Sequence, residues 1–268
     1  RPFCKRIQVT YKVALALHAS YQRVHEGDPY EIVRVLLLTG QRNFYLAQNF
    51  ITSNDLDETK VADLLSDFFF KALTTRSDAA FNPHCSAVEF VEFANVGKNP
   101  LGLGTRLLAL ATGKRNLPLF AEVELFIRAH FCFTTACNIQ GCTRVMSALR
   151  QRVMVYVAAH EFRFLTRILT GIQNYRELGF LFDLFWEQGV FEQILSKNLV
   201  KDNLESFCLA LARYLQQNHP HDTDTMAMVY LRYGMYRELG MTQRARAERD
   251  VRQIIGGRPS HGASSGGG

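Results

Sequence analysis

The stretch 129-AHFCFTTACNIQGC-142 sets a histidine and three of the chain's six cysteines within fourteen residues. Read as a reactive loop or a metal ligand set, it makes the chain a candidate enzyme. Read as the side of a helix, it makes the chain a stack of helices. The spacing favours the helix. Over about Leu119 to Asn138, helical periodicity puts Leu125, Phe126, Ala129, Phe133, Ala136 and Cys137 on one broad side, with Glu122, Glu124 and Arg128 elsewhere. Cys132 and Cys137 are turned from each other by about 140°, and His130 and Cys137 share a face but stand about 10 Å apart. Neither pair can clasp one metal within a helix, and the close cysteine pairs of zinc sites are absent. Gly141 is expected to end the helix before Cys142 contributes. A cysteine nucleophile needs a base brought to it, and no residue in the sequence points to one. His130, Cys132 and Cys137 therefore read as packing residues, with buried cysteines acting as small hydrophobes.

Around this stretch, the composition describes a folded chain. Of 268 residues, 47% are hydrophobic and 12% aromatic, with only seven prolines, which is enough to bury a large core in one or two domains. No uncharged apolar run approaches the roughly 20 residues of a membrane-spanning helix, and the opening RPFCKRIQVTYK has no apolar signal core. The chain starts at Arg1 and finishes in GGRPSHGASSGGG, as a piece of a longer product would. Six cysteines without a dense framework fit thiols of a reducing compartment, so the cytosolic side is expected. A net charge of +6 and a pI near 9.1 permit contact with anionic membranes or RNA without requiring either.

Nearly every long segment has helical spacing of apolar residues, and no run sustains strand alternation. The expected fold class is all-α, an irregular α-solenoid of stacked helical hairpins. Residues 7 to 24 place Val9, Val13, Ala16, Leu17 and Tyr21 on one stripe. Asp28, Pro29 and Glu31 mark a helix start in the manner of a capping box, and Gly40 supplies its stop. Residues 59 to 73 continue with Val61, Leu64, Leu65, Phe68, Phe69 and Leu73. The stretch 76 to 100, with Pro83, Asn99 and Pro100, reads as a looser connection, and helices resume near Leu101. The expected organisation is thus a helical part at 1–75, the connection at 76–100, a helical domain at 101–255 and a disordered glycine- and serine-rich tail at 256–268.

An internal echo supports hairpins. LTGQRNFYLAQNF at 38–50 matches LTGIQNYRELGFL at 169–181. In each, a leucine-rich helix is expected to stop at a glycine, Gly40 or Gly171. Asn43 or Asn174 then stands at the next helix start, followed by Phe44 or Tyr175. YRELG recurs at 175–179 and 236–240, the second copy just after Gly234. The spacing between copies is irregular, unlike a strict repeat array.

Other candidate motifs dissolve on inspection. In NPLGLGTRLLALATGKRN, Leu108 stands where a P-loop needs glycine and Arg115 stands after Gly113-Lys114 where it needs Ser or Thr. Gly102 and Gly104 read instead as room for tight packing at a helix start. His219-Pro220-His221-Asp222 reads as a polar turn between helices rather than a metal site. The last helix sets Ala247, Val251, Ile254 and Ile255 on one face and Arg244, Arg246, Arg249 and Arg252 around the rest. Glu248 and Asp250 dilute that charge, so a solvated helix is favoured over one lying on an anionic membrane.

The block ELFIRAHFCFTTACNIQGCTRVM at 124–146, with LTRILTGIQNYRELGFLFDLFWEQGVFEQILSKNL at 165–199, resembles the C-terminal domain of the spatacsin family. MVYLRYGMYRELG at 228–240 resembles the segment that follows there, and Tyr11 to Leu17 and Pro29 to Arg34 echo earlier family helices. The resemblance implies a non-enzymatic α-solenoid scaffold acting in endolysosomal trafficking and in lysosome reformation after autophagy. The expected partners are a FYVE-domain, spastizin-like protein and the fifth adaptor protein complex. The implied location is cytoplasmic, peripheral to lysosomes and late endosomes and touching their membrane without a transmembrane segment. No catalytic, cofactor-binding or metal residue is implied, and no cofactor. The competing expectations are a helical-repeat RNA binder, suggested by the basic pI although nucleic acid is not the favoured partner, and a hydrolase dependent on Cys132 or Cys137.

Overall fold

The computed structural model describes residues 2–75, 87–113, 117–195 and 204–256. Among these are fourteen α-helices, two short 3₁₀ segments and no strand, so the fold class is all-α as expected. The chain divides into two compact units, Arg1–Ile172 and Gln173–Gly268.

In the first unit, the segment read as one helix over 7–24 is two, α1 (Pro2–Ala16) and α2 (Tyr21–Glu26). His18 takes a left-handed φ of 51°, which ends α1, and Ser20 restarts the chain by accepting the Arg23 N–H at 3.2 Å. Val9 and Val13 are buried as predicted. α3 (Pro29–Leu38) opens as the sequence indicates, with the Asp28 carboxylate accepting the Tyr30 N–H at 3.1 Å and Pro29 at the first helical position. Glu31 meets Arg34 one turn along, at 3.4 Å. Gly40 does end this element, at φ 102°, and α4 (Phe44–Ser53) follows.

α5 (Glu58–Thr74) buries Val61, Leu65, Phe68, Phe69 and Leu73 along one face. Within the stretch read as a looser connection lies a helix, α6 (Ala87–Asn95), with Phe90 and Phe93 fully buried, followed by a turn at 96–99. Residues 76–86 lie outside the described residues. α6 is only nine residues long between turn-forming neighbours, so its periodicity is too brief to declare it. Its aromatic residues are instead held by rings on other helices: Phe93 stands 5.8 Å from Phe44 and 6.0 Å from Phe68, and Phe90 stands 5.3 Å from Phe69.

α7 (Pro100–Gly113) packs along α8 (Leu119–Thr135). A Cβ on Gly104 would lie 2.9 Å from the Cys132 Cβ and 3.3 Å from the Ala129 carbonyl oxygen, so glycine is what lets these two backbones close. Gly102 caps with Asn99, whose Oδ1 accepts its N–H at 2.7 Å. The glycines of the apparent phosphate loop are thus helix-packing and helix-starting residues, while Lys114 and Arg115 lie outside the described residues. α9 (Ile139–Ala158) and α10 (Phe162–Ile172) complete the unit, and α8 is packed against α5, α7, α9 and α10.

The echo between the two glycine segments holds only in part. Gly171 does not stop a helix: it lies within α10, and the left-handed residue is Gln173, φ 57°. A Cβ at Gly171 would approach Ile127 of α8 to 2.6 Å, so this glycine serves helix contact rather than chain reversal.

The second unit has α11 (Gly179–Glu187), a 3₁₀ segment at Phe191–Leu195, α12 (Leu204–Asn218), α13 (Thr223–Tyr233) and α14 (Tyr236–Gly256). Phe182, Phe207, Leu211, Leu215 and Val229 form its core. Gly234, at φ 74°, caps α13 in the left-handed conformation that favours glycine. The repeated YRELG adopts two structures: at 175–179 it forms a turn leading into α11, and at 236–240 it begins α14. Tyr175 is buried against Phe207 at 5.3 Å, whereas Tyr236 is exposed, so surroundings decide the conformation of one pentapeptide. From residue 257 the expected tail lies outside the described residues.

Candidate functional site

The opening stretch proves to be a helix, a turn and a second helix. α8 ends at Thr135, Cys137 takes the left-handed position at φ 52°, and Asn138 caps α9 by accepting the Gly141 N–H at 2.5 Å. Gly141 therefore opens a helix rather than closing one, and Cys142 lies in that helix's first turn. Only glycine fits there, because a Cβ would sit 2.3 Å from the ring of buried Phe133.

Cys132 is fully buried in α8 and Cys137 is exposed on the turn, so packing describes the first and chain reversal the second. Thr134 lies between the histidine and the third cysteine. Its hydroxyl is 3.5 Å from His130 Nδ1 and 3.6 Å from Cys142 Sγ, and it donates to the His130 carbonyl at 2.9 Å. Burial pushes the Cys132 thiol up to about 12 from an ordinary 9.0, against a smaller opposing pull from Arg128. At neutral pH it is a thiol, and the thiolate that nucleophilic chemistry requires is absent. Cys132 and Cys208 are expected to resist alkylation in the native protein at pH 8 while Cys4 and Cys137 react within minutes. Mass spectrometry of iodoacetamide-treated protein with and without denaturant reads this directly. Cys132 also bears on alkaline stability. Because the folded state keeps its proton to higher pH than the unfolded chain, stability falls as pH rises from about 9 toward 12.

The unforeseen feature of α8 is charge. Glu122, Glu124 and Arg128, which periodicity places away from the apolar side, are each about 3–4% exposed. The helix is buried all round because four others cover it, which a single amphipathic stripe does not disclose. The charges survive burial by pairing. Arg152 of α9 grips Glu122 with two bonds, Nε to Oε1 at 2.7 Å and Nη2 to Oε2 at 3.1 Å, and the Tyr156 hydroxyl donates to the same carboxylate at 2.8 Å. Arg167 of α10 grips Glu124 likewise, at 2.5 and 3.0 Å, while Arg128 approaches Glu124 at 3.6 Å and lies over the Phe90 ring at 4.8 Å. Burial, reinforced by the Glu122 charge, pushes the Tyr156 phenol well above the ordinary tyrosine range. Both carboxylates are engaged by arginines, so this cluster ties α8 to α9 and α10.

His219-Pro220-His221-Asp222 forms the turn between α12 and α13, as predicted. Asp222 caps α13, accepting the Thr225 N–H at 2.9 Å and its hydroxyl at 2.8 Å, and His219 stacks on Trp186 with centroids 3.8 Å apart. Asp222→Ala is expected to lower stability by about 1 kcal/mol and Asp222→Asn by much less, measured by urea unfolding. Among the described residues, no group of three or more His, Cys, Asp or Glu side chains is placed to hold a metal ion. None of the described helices is long and apolar enough to cross a membrane. On α14, Val251, Ile254 and Ile255 are exposed, Arg244 pairs with Glu248, and Arg246 pairs with Asp224.

Packed helices, acids of α8 locked in arginine pairs and two cysteines, Cys132 and Cys208, buried in the packing define a helical packing module, and the matches to known proteins give it a family. The family model described as Spatacsin C-terminus matches residues 95–261, and the chain belongs to that family. It is 29% identical over 252 residues to spatacsin of Mus musculus, covering 91% of this chain and 10% of that protein. It is 26% identical over 333 aligned residues to a protein of Dictyostelium discoideum, covering 91% of this chain and 9% of the relative. The chain thus spans about a tenth of the length of these relatives. No solved structure matches it.

Proposed function

We propose that this chain is a non-enzymatic α-helical scaffold or interaction module of spatacsin type, acting in endolysosomal membrane trafficking and in lysosome reformation after autophagy. The observation that carries the reading is the family match over residues 95–261, which includes α8 and both of its arginine-paired carboxylates. The neutral thiol of Cys132 and the fully paired Glu122 and Glu124 support a binding rather than a catalytic role. Its partners are a FYVE-domain, spastizin-like protein and the fifth adaptor protein complex, met on the cytoplasmic face of lysosomes and late endosomes.

Affinity purification of the whole chain from nuclease-treated lysate at physiological salt tests this. Enrichment of a FYVE-domain protein and adaptor subunits is the expected result. Their absence, with RNA-binding proteins recovered before nuclease treatment and lost after it, would replace the trafficking reading with RNA binding.

A further inference from the structure

The second unit carries a cleft of about 590 Å³ between α11 and α12, a size that suits a small ligand or a short peptide segment. Phe182, Leu209 and Ala210 give it an apolar wall, and Arg176 and Arg213 line it from opposite elements. Among the described residues, neither arginine has a carboxylate within ion-pair distance. The acid in the cleft, Asp183, is already engaged, accepting the Tyr214 hydroxyl at 2.9 Å. A further polar group stands without a use among the described residues: Tyr175 lines the cleft, is only 7% exposed, and its hydroxyl has no hydrogen-bond partner there. A buried phenol without a partner is costly and uncommon, and a small turn of a ring that lines the cleft would bring this covered hydroxyl to a ligand oxygen. Burial pushes this phenol up to about 12, so it is a protonated donor at neutral pH.

We infer that this cleft docks an acidic peptide segment of a partner protein, with an aliphatic or aromatic side chain against Phe182 and Leu209 and a carboxylate against Arg213 and Arg176. The Tyr175 hydroxyl donates to an oxygen of the same segment. Two unpaired cations at the rim and one available donor inside complement a carboxylate beside an apolar anchor. A multiply charged phosphate group fits less well, because both arginines are exposed to solvent and Asp183 stands in the cleft. The inference rests on the interaction-module reading for the kind of ligand, and it names the chemistry of one contact.

The test is selection of random phage-displayed peptides on the whole chain, with the Arg176→Ala/Arg213→Ala protein as the counter-selection. The expected result is enrichment of peptides in which Asp or Glu flanks Leu, Ile or Phe. The affinity of an enriched peptide, read by fluorescence anisotropy, should fall by about tenfold or more in the double variant and decline with added salt. Both arginines are on the surface, so the variant should melt at the wild-type temperature. Tyr175→Phe should weaken the same peptide severalfold without loss of fold.

Acidic peptides that bind the double variant equally would overturn the cleft assignment, and so would enrichment of neutral or basic peptides, or of none. Displacement of the peptide by equimolar inositol hexakisphosphate would overturn the peptide in favour of a phosphate ligand. Failure here with adaptor subunits still captured by the whole chain would remove the cleft and leave the trafficking reading intact. Success here without those subunits would do the reverse.

Discussion

Glu124→Ala is expected to lower the stability of the first unit by about 3–5 kcal/mol, the range for removing one partner of a buried ion pair. The size follows from who is left behind. Arg167, with a side chain 39% exposed, can turn into water when its carboxylate is removed. Arg128 cannot: its side chain is 4% exposed and lies over Phe90, so its charge would remain in the interior without Glu124. Arg167→Ala should therefore cost distinctly less than Glu124→Ala, because Arg128 still faces the carboxylate. Replacing Glu124 and Arg128 together by Leu and Met should recover most of the loss, since an apolar pair of similar volume carries no desolvation cost. Urea unfolding followed by circular dichroism measures all three proteins. Equal losses for Glu124→Ala and Arg167→Ala would mean that Arg128 is solvated on loss of its partner, contrary to its burial.

Phe93→Ala is the second large effect, at about 3–5 kcal/mol. Phe93 is fully buried, and its ring lies about 6 Å from those of Phe44, Phe68, Phe69 and Phe90, drawn from α4, α5 and α6. Truncation leaves a cavity among rings that cannot collapse into it together, and it loses aromatic contacts as well as buried area. Phe93→Leu should retain roughly half of the stability at stake, because it preserves much of the volume. Thermal unfolding followed at 222 nm distinguishes the two. A loss near 1 kcal/mol for Phe93→Ala would show that α6 is peripheral to the core, against the position of its two buried phenylalanines.

The legible parts of the sequence were those where local chemistry suffices. The Asp28-Pro29 start of α3, the stop at Gly40, the stripe of α5 and the turn at His219 to Asp222 all depend on residues within a few positions of one another. The helix expected over about Leu119 to Asn138 also follows from spacing, although α8 ends at Thr135, Cys137 takes the left-handed position after it and Gly141 opens the next helix. There the decisive contact was between Gly141 and the Phe133 ring, eight positions back and across the chain reversal. The cleft between α11 and α12 left no motif at all, since Arg176, in the turn before α11, and Arg213, on α12, are 37 positions apart by number and line one cleft only because these elements pack.

The sequence by itself determined an all-α chain, the places of most of its helices and its kinship with the spatacsin C-terminus, because helical periodicity, caps and family residues are local properties of the chain. Only the tertiary structure decided that α8 is covered on every side, that its acids are locked to arginines on α9 and α10, and that YRELG is a turn once and a helix once. Burial and ion pairing are set by which helices come together, and that choice is made by packing over the whole chain rather than by any residue's neighbours.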